Sequence, residues 1–428
     1  MLLNFPRKIF ILAAEMKKGF ASILAQERER LSRKAALKLP TLASGLEIPS
    51  ALALEQCSSE VTAAYKAEVA RRWRADNRRA EFAPERLFPN YFGAKKQLRP
   101  ERGTAIADLT GGLGIDCLAF AKRFERVLYN EMNPALGEAA ARNFAAFGAG
   151  NIRCCAFEIQ SGQAPWKEAV ADFAPDLVYL DPARRNASGA KVFRLQDCSP
   201  DIVTLLPDLE KICPRLLLKL SPMADISVLL AWAEGRVQEL HIVEKDGECK
   251  ELLLLMDASR RREDPLIRVV VPETGASLDF RPSEERSAAR KLASGDFSLL
   301  FEPGPALMKA GAFKGLCGRY PLAALSPSVH LYASDEVIEP LSPFGKWYRV
   351  TETLPFGKEG FKTAGMRFGQ AEVSARGIPM RSEELRRRCG CTGGGDEHLF
   401  GVQTLSGRRI IAASRLPQDV AASREGKR

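Results

Sequence analysis

Histidine is scarce in this chain: His241, His330 and His398 are the only three in 428 residues. None of its ten cysteines stands in a C-x-x-C pair. The closest spacings, Cys154–Cys155 and Cys389-Gly-Cys391, suit zinc poorly, so no metal is expected. The thiols read as buried small hydrophobes or idle groups, in keeping with a cytoplasmic protein. An uninterrupted apolar run of about 20 residues is also missing, which excludes a membrane-spanning helix. The opening MLLNFPRKIFILAAEMKKGF has a short apolar core broken by charges and no small-residue cleavage site, which argues against a secretory signal. Internal repeats are absent, and no G-K-[ST] triplet follows any glycine-rich turn, so a P-loop is excluded.

What the chain has is ordinary globular composition, 46% hydrophobic and 27% charged, over a length that calls for roughly two to four domains. Its net charge is +10, which suits a polyanionic partner such as nucleic acid, although lysine and arginine also simply solvate surfaces. Residues 1–100 read as helical, with long stretches at 13–39 and 51–80. The end of the second, RRWRADNRR (71–79), is either a solvated helix face or one that tracks phosphates.

From Thr104 short apolar runs alternate with helical segments. TAIADL, RVLYNE, NIRCCAF, DLVYLDP, RLLLKLS, ELHIVEK and KELLLLM are seven strand candidates. Such alternation predicts a mostly parallel sheet covered by helices on both faces. Only DGEC separates the last two, too little for a crossover helix, so they should pair as an antiparallel hairpin. RRREDPL (260–266) reads as a linker. Beyond it lies an α+β region with LIRVVVP as a strand and SEERSAARKLA as a helix, then a β-α-β-β unit with the basic helix SEELRRRC.

DLTGGLGID (108–116) follows the first strand and opens a helix, the place where such sheets bind ligands. A dinucleotide fingerprint needs a third glycine, and Cys117 occupies that position, which weakens the pyrophosphate reading. The competing ligand is S-adenosylmethionine (SAM), which has no phosphate. A tight glycine turn lets the backbone approach its methionine portion. Asp108 could help hold its ammonium, directly or through water. Glu131, at the end of the second strand, is the type and place to accept from both ribose hydroxyls, unless it is a surface acid.

At these residues the sequence resembles the class I SAM-dependent methyltransferases. That resemblance implies a seven-stranded Rossmann-like α/β sheet whose seventh strand is inserted antiparallel between the fifth and sixth. Asp108, Thr110, Gly111, Gly112 and Gly114 match the first motif, and Glu131 the acid after strand two. The implied cofactor set extends to Asp116, Met132 and Glu158, the last as an adenine contact or a surface acid. YLDPARRN (179–186) stands where amino-group and RNA methyltransferases carry [DN]-P-P-[YFW]. Asp181, Pro182, Ala183 and Arg184 are thus the candidate catalytic group, with Asp181 orienting a nitrogen and Pro182 stiffening the turn. Ala183 replaces the second proline and Arg184 the aromatic, which puts an exocyclic adenine amino target in doubt. Arg184 and Arg185 could stack on bases or bind phosphate. KLSPM (219–223) lacks the cysteine that covalent pyrimidine chemistry requires, leaving Lys219 and Ser221 as possible substrate contacts.

ALEQCSSEVTAAYKA, DLTGGLGID, LDPARRN, LKLSPMADI and GECKELL together resemble one bacterial family of class I methyltransferases with a THUMP-like C-terminal domain. The family arrangement implies a helical region (1–100), a methyltransferase domain (101–259), a ferredoxin-like α+β domain (260–370) and a THUMP-like domain (371–428). True THUMP domains bind RNA, so a tRNA or rRNA partner and methylation of an RNA nitrogen are implied, with no membrane partner. A protein or small-molecule substrate remains the alternative, as does a non-catalytic RNA-binding factor that keeps the SAM fold. In the N-terminal QCSSE stretch, Gln56, Ser58, Ser59, Thr62 and Lys66 either cap the cleft, with Ser59 and Lys66 touching substrate, or form a helix-packing patch. Glu248 and Lys250 could pair or line the cleft.

Overall fold

The computed structural model describes residues 26, 29–74, 100–184 and 195–417. The N-terminal apolar stretch, most of RRWRADNRR, Arg185 and the end of the chain lie outside the described residues. Two compact units divide the chain, residues 1–219 and 220–428.

In the first unit β1 (Glu101–Asp108), β2 (Phe124–Asn130), β3 (Ile152–Cys155), β4 (Leu177–Leu180) and β7 (Arg215–Leu220) form parallel ladders in the order β7-β4-β1-β2-β3. Between β4 and β7 lies a two-residue pair, β5 (Ala183–Arg184) and β6 (Cys198–Ser199), which is antiparallel. Central β4 is buried at every position, as a parallel strand covered on both faces must be, whereas edge strand β3 leaves Arg153 and Cys154 exposed. Crossover helices Pro134–Ala146 and Ile202–Ile212 begin at side-chain caps. Asn133 accepts from the N–H groups of Ala135 and Leu136, and Asp201 accepts from that of Val203.

The N-terminal helical stretch is broken where continuous helical spacing predicts one rod. Helix Ala51–Gln56 stops at Cys57, and a second helix runs Glu60–Arg74. Serine competes locally for backbone partners: the Ser59 hydroxyl accepts from Thr62 N at 3.3 Å and faces Thr62 Oγ1 at 3.1 Å, an N-cap to the second helix. Glu60 then ties the preceding loop down, accepting from Thr41 N, Leu42 N and the Thr41 hydroxyl. Asn143 does the same further on, exchanging hydrogen bonds with the backbone of Glu47.

The second unit opens with helix Ile226–Trp232 and the antiparallel pair β8 (Val237–Lys245) and β9 (Glu248–Asp257). Asp246 and Gly247 join them with φ of +53° and +71°, the positive pair that a tight type I′ turn demands of Asp-Gly. On the far side of β8, β10 (Leu266–Val271) is parallel to it, and β11 (Ala276–Phe280) is antiparallel to β10. The predicted helix at SEERSAARKLA is shorter than its spacing suggests, covering only Pro282–Ser287.

A second sheet follows, with β12 (Leu299–Pro303), β13 (Ala323–Ser326), β14 (Val329–Ser334), β15 (Gly345–Pro355), β16 (Glu372–Arg376), β17 (Glu397–Thr404) and β18 (Gly407–Arg415) in the order β13-β14-β12-β15-β18-β17-β16. Its last part is the predicted β-α-β-β unit. Leu385 and Cys389 of helix Ser382–Cys389 pack with Leu399, Ile410 and Phe361 in one apolar cluster. No helix among the described residues is long and apolar enough to cross a membrane, and no cluster of His, Cys, Asp or Glu there could hold a metal ion.

Candidate active site

The C-terminal ends of the parallel strands in the first unit open onto a cleft of about 700 Å3. Every glycine of DLTGGLGID is there for a physical reason. A Cβ at Gly111 would lie 2.1 Å from the ring of Tyr129, and one at Gly114 would lie 2.6 Å from Phe144. Gly112 and Gly114 also have φ of +53° and +83°. Tyr129 completes the lock by donating its hydroxyl to Gly112 O at 2.6 Å. Gly114 then starts helix Ile115–Phe120.

Glu131 Oε2 accepts from Gly112 N at 2.9 Å, and its Oε1 from Asn133 N at 2.8 Å. Each oxygen keeps a further lone pair, so the carboxylate can take two more donors. Asn130 fastens the loops on either side of it: its side-chain amide donates to Leu109 O and Phe157 O and accepts from Phe157 N. Met132 and Glu158 are exposed on the cleft wall, Glu158 paired with the Gln160 amide.

Asp108 is placed differently from what its motif position suggests. It is buried, and it is not among the cleft-lining residues. Its oxygens accept from Thr110 N at 3.0 Å and from the Cys117 thiol at 3.2 Å. Burial pushes its carboxyl up to about 7, against the pull of the Thr110 N–H. Cys117, where a dinucleotide loop would carry glycine, is thus a donor to the base of the turn.

At the end of β4, Asp181 lines the cleft. Its N–H donates to Thr110 Oγ1 at 2.6 Å, and its Oδ2 is paired with Lys219 Nζ. Pro182 is buried and Ala183 is exposed on the wall. The β5–β6 pair brings Ser199 and Pro200 to the same wall. Of Arg184 only the backbone is described. Ser221 belongs to the second unit, where its hydroxyl accepts from Met223 N at 3.3 Å. There, too, Lys250 Nζ meets Glu248 at 2.5 Å.

The N-terminal segment supplies Ala53, Gln56, Cys57 and Ser58 to the lining. Ser59, by contrast, is buried as the helix cap described above. Lys66 has no solvent exposure and reaches Ser58 Oγ at 2.5 Å and Asp116 Oδ1 at 3.0 Å. Asp116 Oδ2 accepts from both Ser58 Oγ and Tyr179 OH at 2.9 Å. Cys57 places a thiol in the cleft, but burial pushes it up despite Lys38, Lys66 and Lys219 nearby, so it stands as thiol rather than thiolate. Tyr129, Asn130 and the Ser199–Pro200 wall were not evident from the sequence. The signal available for the first two was the polar end, Tyr129 and Asn130, that follows Val127 and Leu128 in the second strand.

Fold and site define a class I methyltransferase fold carrying ferredoxin-like and THUMP-like domains. Residues 299–341 match a ferredoxin-like domain family, and residues 345–415 a family described as THUMP domain-like. The crystal structure of a Porphyromonas gingivalis W83 protein assigned as a methyltransferase is 31% identical, covers 91% of this chain and 89% of its own, and superposes with a TM-score of 0.74. The chain therefore belongs to this family of class I methyltransferases with a THUMP-like C-terminal domain. The C-terminal domain of precorrin-6Y C5,15-methyltransferase from Rhodobacter capsulatus (18% identity, 39% of this chain, 84% of that one, TM-score 0.24) and M. capricolum TrmK with S-adenosyl-homocysteine (15%, 37%, 63%, 0.25) are partial likenesses. No curated protein matches the chain.

Proposed function

We propose that the protein is a SAM-dependent methyltransferase acting on a nitrogen of structured RNA, either tRNA or rRNA. The charge of the cleft carries the cofactor reading. Among the described residues its charged lining is Asp116, Glu131, Glu158 and Asp181 with the ammonium of Lys219, and Asp116 and Asp181 are already paired with Lys66 and Lys219. Glu131 and Glu158 leave this lining net negative, which disfavours a pyrophosphate and suits a ligand with a sulfonium and an ammonium. The glycine turn, whose walls leave no room for a side chain at Gly111 or Gly114, fits the methionine end. Glu131, with two acceptor positions spare, fits a vicinal diol, and Glu158, exposed on the same cleft wall, is assigned to the adenine amino group. Thr110 and Met132 complete the cofactor wall.

When bound, the cofactor supplies an electrophilic methyl group. The rest is positioning by this chain. Lys219 fixes Asp181 Oδ2, which leaves Oδ1 to accept an N–H of the substrate and aim the nitrogen lone pair. Pro182 removes a competing N–H and stiffens the turn. Ala183 stands where the motif has its second proline, and Arg184, at the aromatic's position, is assigned with Arg185 to the substrate. The RNA reading rests on the THUMP-like match, the net charge of +10 and the exposed Arg386, Arg387 and Arg388.

Labelled SAM offered with total RNA from a deletion strain tests this. The wild-type chain labels RNA and Asp181→Ala does not. Label in protein or a small molecule instead would replace the RNA substrate. Cofactor binding with no label anywhere would make the protein a non-catalytic factor. Tighter binding of NAD than of SAM in calorimetry would overturn the cofactor itself.

A further inference from the structure

We infer that Ser58 receives the α-ammonium of the cofactor's amino-acid end. The inference rests on the SAM reading above and adds a residue to it. An acceptor is required beside the glycine turn, and Asp108, the acid at the expected position, is buried away from the cleft with its oxygens turned to Thr110 and Cys117. Ser58 lines the cleft with Gly112, Leu113 and Gly114.

The polarity of the Ser58 hydroxyl is fixed by its buried partners. Asp116 Oδ2, 2.9 Å away, can only accept, so it takes the hydroxyl proton. The Lys66 ammonium, 2.5 Å away, can only donate, so it takes one lone pair. One lone pair remains, and toward any ligand Ser58 is an acceptor only. Rotation of the hydroxyl to become a donor would abandon Asp116. The three partners come from three segments: the break between the N-terminal helices, the helix Glu60–Arg74 and the helix after the glycine turn. The acceptor is therefore built only when the N-terminal region is docked on the sheet. Asp116, paired with Lys66, is not a free charge for the ammonium, and the hydroxyl is the group it presents.

Calorimetry of the full chain with S-adenosylhomocysteine and with its des-amino analogue, in which hydrogen replaces the α-amino group, tests the assignment. A hydrogen bond to a charged group is expected to give the wild-type chain about a tenfold preference for the amino form. Ser58→Ala should bind the two forms equally, the greater loss falling on the amino form. A wild-type chain that binds both forms equally overturns the assignment without any variant. A Ser58→Ala chain that keeps the preference overturns it too, as does one that loses both ligands alike, because Ser58 would then be structural. Failure of the wild-type chain to bind either ligand defeats the SAM reading instead.

Discussion

Lys66 Nζ lies 3.0 Å from Asp116 Oδ1, and the lysine has no solvent exposure at all. An ammonium so placed is sustained by its partners: Asp116, Ser58 and, at 6.0 Å, the ring of Tyr179. Lys66→Met keeps the volume but leaves a buried carboxylate uncompensated. Breaking one side of such a pair costs about 3–5 kcal/mol. Amide hydrogen exchange should show protection lost across Glu60–Arg74 and Ile115–Phe120. Adding Asp116→Asn should recover a good part of it, since the remaining groups are neutral. Equal protection in Lys66→Met and the wild type would contradict this account.

Gly111→Ala and Gly112→Ala should differ in kind. The first drives a Cβ to 2.1 Å from Tyr129 Cε2, and that ring is itself held by its hydroxyl on Gly112 O. The second meets nothing within 4 Å and carries only the strain of a left-handed φ of +53°. Overpacking of this severity costs about 1–3 kcal/mol and displaces the turn, whereas the left-handed conformation costs about 1–2 kcal/mol. Gly111→Ala is therefore expected to lose S-adenosylhomocysteine binding in calorimetry, and Gly112→Ala to keep most of it. The reverse order would mean that the turn is not held by Tyr129.

The parallel strands, the hairpin and the final β-α-β-β unit were legible because each is a local pattern: apolar runs at strand length, Asp-Gly at a tight turn, a basic amphipathic helix. The glycine turn was legible because backbone geometry and the lack of room for a Cβ restrict its residue types. The break at Cys57–Ser59 was hidden, since helical apolar spacing continues through it and a cap is decided by which backbone groups lose partners. Asp108 misled for a related reason. A motif fixes where its Cα stands, and Cys117, nine residues on, decides which way the carboxyl turns. Lys66 looked like a cleft residue because its chemistry is polar, while its burial depends on Asp116, fifty residues away.

Asp108 also gives the fold a pH dependence of unusual sign. Burial raises its carboxyl from the ordinary 3.8 to about 7. Between those values the folded chain holds a proton that the unfolded chain releases. Stability from this group is fully present below about pH 4 and falls as pH rises toward 7, opposite to a salt-bridged aspartate. Asp108→Asn keeps an acceptor for Thr110 N and cannot ionise. Urea unfolding of the first unit, followed from pH 4.5 to 7.5, should show a downward slope in the wild type that is flatter in Asp108→Asn. Parallel slopes would place the titration elsewhere.

The helix Ser382–Cys389 keeps Leu385 and Cys389 inward and leaves Arg386, Arg387 and Arg388 exposed. Arg388 is partly engaged by Glu384 at 2.7 Å, so two to three charges are offered to a polyanion. If they contact RNA phosphates, each should release about 0.7–0.9 counterion, and log K should fall linearly with log salt. Replacing all three with Gln should flatten that slope by about 2 without disturbing the buried side of the helix. Binding of total tRNA from 50 to 300 mM salt, read by fluorescence anisotropy, measures both slopes. An unchanged slope in the triple variant would move the RNA contact off this helix. A wild-type affinity indifferent to salt would remove phosphate recognition from the protein altogether.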